Sequence, residues 1–156
     1  MLWHDEASTE SFAQFLARQP SIGRAMIELQ GQLGAGKTTF VRHLLKGLGV
    51  QGRIKSPTYA VVETYTLNTS MALQGDNLPL TIWHFDFYRF NDPSEWEDAG
   101  FRDIFASLGL KLIEWPEKAG AYLPLSDLVI HIDALSEESR FITLTAYTPT
   151  GTELIP

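Results

Sequence analysis

Cysteine does not occur anywhere in the 156 residues. Its absence excludes disulfides, thiolate metal sites and cysteine nucleophiles, and it fits a reducing cytosol. Long apolar runs are missing too, since no stretch approaches the 18 or more residues that a membrane span needs. Met1-Leu2-Trp3-His4-Asp5-Glu6 has no basic-then-apolar signal-peptide signature, so a cytoplasmic location is the expectation. Positive charge is scarce, with 12 Lys and Arg against 19 Asp and Glu and a net charge of −7. Such a surface repels a phosphate backbone, which disfavours tight direct contact with DNA or RNA. The one basic cluster, Arg42, Lys46, Arg53 and Lys55, reads as a solvated helix end. With 44% hydrophobic and 20% charged residues, the rest is the composition of a globular chain, and the length suits one domain over residues 1–156.

What is present is more specific. Residues 31–38 read Gly31-Gln32-Leu33-Gly34-Ala35-Gly36-Lys37-Thr38, followed by Thr39. This is a complete G-x-x-x-x-G-K-[ST] phosphate loop. Glycines let the backbone curl until several N–H groups face one phosphate. Gly31, Leu33, Gly34, Ala35, Gly36, Lys37, Thr38 and Thr39 are therefore the expected nucleotide contacts. Lys37 would set an ammonium against the β/γ-phosphates and the Thr38 hydroxyl would ligate Mg²⁺. The flanks agree: Ala25–Leu29 is short and apolar enough for a buried strand. Phe40, Val41, Leu44, Leu45 and Leu48 follow helical spacing until Gly49.

Along the rest of the chain, Asp5 or Ser8 can cap a first helix with Phe12, Phe15 and Leu16 on its apolar face. Strands are expected at 59–65, 80–85, 110–114, 128–132 and 141–146, and a polar loop at 68–79. No helix fits between the strands at 59–65 and 80–85, and the link between the last two is too short for a crossover. Both pairs should be antiparallel. A short helix should start around Asp92-Pro93-Ser94-Glu95-Trp96, with Pro93 at its first position. The expected architecture is α/β, a single domain with a mixed parallel and antiparallel sheet flanked by helices.

Phosphoryl transfer also needs a carboxylate near the metal and a group that orients water. Two strand ends offer one, Asp86 after Leu80–Phe85 and Glu114 after Leu110–Ile113, and spacing alone does not choose between them. Ser56-Pro57-Thr58-Tyr59 is either a proline-fixed turn or a switch segment in which Thr58 senses the γ-phosphate. In His84-Phe85-Asp86-Phe87-Tyr88-Arg89, strand alternation puts His84 and Asp86 on one face. Arg89 is expected to pair with Asp92 or Glu95. Trp83, Trp96 and Trp115 are expected in the core or at an interface.

Together, Gly31–Thr39, Ser56-Pro57-Thr58-Tyr59, His84–Arg89 and Ile113-Glu114-Trp115-Pro116 resemble, in order and spacing, the TsaE (YjeE) family of bacterial ATPases. The resemblance runs over essentially the whole chain, with a longer loop at 68–79 as its one departure. It implies a P-loop NTPase fold, ATP with Mg²⁺, weak intrinsic hydrolysis, and a requirement in forming threonylcarbamoyladenosine beside the tRNA anticodon. It also implies action through a TsaD–TsaB heterodimer, with tRNA contact left largely to those partners. By matching motif, Lys37 would grip the phosphates, Thr38 and Glu114 would serve the metal, and Thr58 and Asp86 resemble the switch and catalytic positions.

Three other classes meet obstacles in the residues. A small-molecule or nucleotide kinase closes an arginine-rich lid, whereas the basic residues here are thinly spread. A GTPase needs Asn-Lys-x-Asp, and no Asn is followed by Lys. A regulatory module that binds ATP without hydrolysing it has no use for both Asp86 and Glu114.

Overall fold

The computed structural model describes residues 1–68 and 78–156. Seven strands form one sheet: β1 (Leu2–Trp3), β2 (Met26–Gln30), β3 (Val62–Leu67), β4 (Leu80–Asp86), β5 (Leu110–Glu114), β6 (Leu128–Ala134) and β7 (Arg140–Ala146). Their order across the sheet is β1-β7-β6-β2-β5-β4-β3. The middle strands β6, β2, β5 and β4 are parallel neighbours. Antiparallel pairs β3–β4, β6–β7 and β1–β7 extend both edges. Both expected antiparallel pairs are present, and the sheet is mixed.

Helices α1 (Glu6–Ala17) and α2 (Lys37–Leu48) cover one face. Asp5 caps α1 by accepting from the Ser8 N–H at 2.8 Å, satisfying one of the free donors of the first turn. The apolar stripe of α2, Phe40, Val41, Leu44, Leu45 and Leu48, is fully buried, as its spacing predicts. It packs with Phe12 and Leu16 of α1 on Ile27, Leu29, Ile82, Leu112 and Ile130 of the sheet. Truncating such a residue, as in Leu44→Ala, costs about 2–5 kcal/mol. Gly49 ends α2 in the left-handed region, at φ 103°. On the other face, α3 (Ser94–Asp98) and α4 (Arg102–Ala106) bring Trp96 and Phe105 against Phe85, Phe87 and Phe101. A last helix, α5 (Pro149–Glu153), follows β7.

Two sequence expectations shift. The strand predicted from Tyr59 begins at Val62, because the preceding residues form a turn closed by Val61 N–H donating to the Pro57 carbonyl at 2.7 Å. Val61 itself takes φ 69°, a region that a β-branched residue adopts only at a cost. Pro93 is the residue before α3 instead of its first member. Residues 69–77 of the predicted polar loop lie outside the described residues.

Candidate functional site

The carboxyl ends of the parallel strands meet the amino end of α2, the place where open α/β sheets bind ligands. Between β2 and α2, residues 31–36 turn back on themselves, with Ala35 N–H donating to the Gln32 carbonyl at 3.1 Å. Gly31 is demanded here: at φ 139°, a Cβ would stand 2.4 Å from the Ile132 carbonyl oxygen of β6. Gly36 precedes α2 in a left-handed conformation. The helix thus directs its free N–H groups and positive dipole end into the loop.

A cavity of about 260 Å³ opens against this loop, walled by Lys37, Thr38, Thr58, Asp86, Glu114 and Trp115 among others. Lys37 is only 4% exposed. Its ammonium donates to the Gly31 and Gln32 carbonyls at 2.6 and 2.9 Å and lies 4.2 Å over the Trp115 ring. Burial holds its pKa below the ordinary value, and the nearby Glu114, Glu117 and Asp86 carboxylates offset this only in part.

The carboxylates flagged in the sequence stand at this wall. Glu114, 2% exposed, accepts from the Thr38 hydroxyl at 2.9 and 3.0 Å and lies 2.8 Å from His84 Nε2. Asp86, 4% exposed, accepts from the Thr58 hydroxyl at 3.0 Å and from the Tyr88 N–H at 2.9 Å. His84 and Asp86 share the sheet face that carries Ile82, which is the face α2 covers. The arrangement gathers the Lys37 cation, the Asp86 and Glu114 carboxylates, the Thr38 and Thr58 hydroxyls bonded to them, and a helix amino end around one cavity. That set can hold a polyphosphate and a hard cation.

Several partners escaped the sequence. Trp115, expected in the core or at an interface, packs against the Phe85–Phe101 core cluster and also lines the cavity, and it holds φ 58° after β5. Arg140, 105 residues from the loop, donates from Nε to the Ala35 carbonyl at 2.8 Å and from its terminal nitrogen to the Ser136, Glu137 and Ser139 carbonyls. It ties the β6–β7 turn to the phosphate loop. Arg89 does not pair with Asp92 or Glu95. Its guanidinium stacks 4.1 Å over the Tyr59 ring, and the Glu95 carboxylate accepts from the Asn91 and Asp92 N–H groups. The turn at 57–61 brings Tyr59 within reach, and the ring face competes for the cation.

The geometry has counterparts among known proteins. A family model described as "Threonylcarbamoyl adenosine biosynthesis protein TsaE" matches residues 3–142. The chain belongs to the TsaE family. It is 41% identical to a Haemophilus influenzae protein named "tRNA threonylcarbamoyladenosine biosynthesis protein TsaE", over 94% of this chain and 85% of the relative. A Bacillus subtilis protein of the same name is 36% identical, over 78% of this chain and 69% of the relative. The crystal structure of YdiB from Bacillus subtilis superposes with a TM-score of 0.73 at 27% identity, covering 99% of this chain and 88% of that one. The fold is therefore that of a P-loop NTPase, and the family resemblance of the four motifs holds. Among the described residues, no helix is long and apolar enough to cross a membrane.

Proposed function

We propose that this chain is a Mg²⁺-dependent ATPase that supports threonylcarbamoylation of the adenosine next to the anticodon in tRNA, acting through the TsaD–TsaB pair. The observation that carries this is the meeting of Lys37, Thr38 and Glu114 at one wall of one cavity. Loop N–H groups from Gly31 to Thr39 and the Lys37 ammonium bind the phosphates. The donor set fits Mg²⁺: the Thr38 hydroxyl and the Glu114 carboxylate are hard oxygen ligands within 3.0 Å of each other. One or two protein oxygens suffice, because substrate phosphates and water complete the shell. When bound there, the ion neutralises charge on the β- and γ-phosphates. Asp86 accepts a hydrogen bond from the attacking water and orients it, while Thr58 holds Asp86 in place. Water adds to the γ-phosphorus, the bond to the β–γ bridging oxygen breaks, and ADP and phosphate leave.

A second cavity, of about 360 Å³, shares Gly36 and Thr39 with the first and is walled by Trp3, Thr9, Arg140, whose guanidinium is engaged by backbone carbonyls, and the carboxyl-bearing Asp5, Glu6, Glu137 and Glu138. Those carboxylates repel phosphate and accept from base and ribose donors, so the nucleoside half of ATP fits there. The net charge of −7 favours work through protein partners in the cytoplasm, with tRNA contact left to them.

The test is reconstitution with purified TsaD–TsaB, tRNA, threonylcarbamoyl-adenylate and ATP, with modified adenosine and released phosphate both measured. Sustained modification should require this chain and fail with Lys37→Ala. Equal multi-turnover modification without the chain would overturn the assignment.

A further inference from the structure

The contact between His84 and Glu114 is buried from end to end, with the two side chains 0% and 3% exposed. His84 Nε2 lies 2.8 Å from Glu114 Oε1, and His84 Nδ1 is buried with no hydrogen-bond partner among the described residues. These two facts place the ring proton. On Nε2 it is donated to the carboxylate, and Nδ1 is left as a bare lone pair. On Nδ1 it would be an orphaned donor, while the Nε2 and Oε1 lone pairs would face each other at 2.8 Å.

Each Glu114 oxygen is then held differently. Oε1 is held by His84 and by Thr38, whereas Oε2 accepts from Thr38 alone among the described residues. A carboxylate at a strand end can rotate about its last torsion, which is broad and nearly two-fold. The donor from the neighbouring strand removes that freedom.

We propose that His84 is a positioning residue. Its Nε2–H fixes the Glu114 carboxylate so that Oε2 and the Thr38 hydroxyl present together to the metal of the nucleotide. This rests on the Mg²⁺-ATPase assignment above. A donor of this kind, one bond removed from a metal-serving carboxylate, typically affects metal affinity or activity by about 10–100-fold.

Two variants separate positioning from packing. His84→Phe keeps an aromatic ring and loses the donor, whereas His84→Gln keeps an N–H at the distance of Nε2. Calorimetry of ADP with and without Mg²⁺ gives the gain in affinity due to the ion. That gain should fall about tenfold in His84→Phe and be largely retained in His84→Gln. In steady-state hydrolysis kcat should follow the same order, and KM for Mg²⁺-ATP should rise in His84→Phe in step with the lost Mg²⁺ gain. On the unaltered protein, ¹⁵N spectra of labelled histidine should show His84 protonated at Nε2 and bare at Nδ1. A folded His84→Phe protein with the full Mg²⁺ gain, equal impairment of both variants, or a proton on Nδ1 would each overturn the proposal. If the unaltered protein shows no Mg²⁺ gain at all, the ATPase assignment fails and the role of His84 falls with it.

Discussion

Asp86 and Glu114 are register partners, the last residues of adjacent parallel strands, and each is clasped by a different hydroxyl. Thr38 of α2 donates to Glu114, and Thr58 of the 56–61 turn donates to Asp86. One carboxylate is thereby linked to the amino end of α2 and the other to the turn at 57–61. Distinct effects of neutralising them follow. Glu114→Gln should bind nucleotide but lose much of the benefit of Mg²⁺. Asp86→Asn should bind Mg²⁺ and ATP nearly normally and slow hydrolysis by about a hundredfold or more. Calorimetry and single-turnover assays on both variants check this, and the reversed pattern would exchange the two roles.

Lys37→Ala removes the ammonium that otherwise faces the loop carbonyls and the Trp115 ring. A charge-assisted contact to an anion is worth about 1.5–3 kcal/mol, so ATP should bind at least tenfold more weakly. The fold should survive, because burial penalises the charged ammonium and its removal takes that penalty away. Unchanged affinity in a folded variant would exclude a phosphate role for this loop.

Gly31 and Gly34 both have positive φ but differ in surroundings. A Cβ on Gly31 meets the Ile132 carbonyl at 2.4 Å, whereas one on Gly34 meets nothing within 4 Å. Gly34→Ala should carry only the backbone penalty of about 1–2 kcal/mol. Gly31→Ala should cost more, with a Tm drop on the order of 10 °C for a chain of this length. Thermal unfolding of both variants distinguishes local strain from a clash with β6.

Features that depend on neighbours in the chain were legible in the sequence. The phosphate loop, the buried stripe of α2 and the Asp5 cap are set by residues within a few positions of one another. Connection lengths foretold which strand pairs run antiparallel, and strand ends located Asp86 and Glu114. What escaped depends on contacts made across the sheet. The His84–Glu114 pair requires knowing that β4 lies beside β5, 30 residues away in sequence. Arg140 reaches Ala35 because β6 and β7 return beside the loop, and no spacing rule announces that. Sequence proximity points Arg89 to Asp92 or Glu95, whereas its neighbour in the structure, Tyr59, reaches it only through the turn at 57–61.

Glu28 of β2 offers a test of pH dependence outside the site. Burial raises its pKa above the ordinary 4.5, with Glu117 pushing the same way and hydrogen bonds from Gln30 and Ser126 opposing. Between 4.5 and the raised value the folded protein binds more protons than the unfolded chain. Stability from this group is therefore complete below 4.5 and is lost as pH climbs through the raised pKa. Glu28→Gln should stabilise the protein at pH 7 and change little at pH 4. Urea unfolding at both values checks this, and an equal effect at the two would assign the change to packing.

The last expectation concerns how nucleotide state reaches a partner. Thr58 bonds to Asp86 inside the cavity, while Tyr59, one residue on, is 83% exposed with Arg89 stacked on it. If Thr58 engages the γ-phosphate, the exposed Tyr59–Arg89 pair beside it is where a partner would meet the change. ATP should favour docking on the TsaD–TsaB pair and hydrolysis should release it. Linkage then requires reciprocity: if a non-hydrolysable ATP analogue tightens docking tenfold over ADP, docking tightens the analogue tenfold over ADP. Thr58→Val, which deletes the hydroxyl but keeps the bulk, should bring both ratios towards one. Titrating the chain into TsaD–TsaB with the analogue, with ADP and with no nucleotide measures the first ratio, and nucleotide titration of the preformed complex measures the second. Equal docking in all three states would remove the thermodynamic basis for a nucleotide switch, because a ligand without differential affinity shifts no equilibrium.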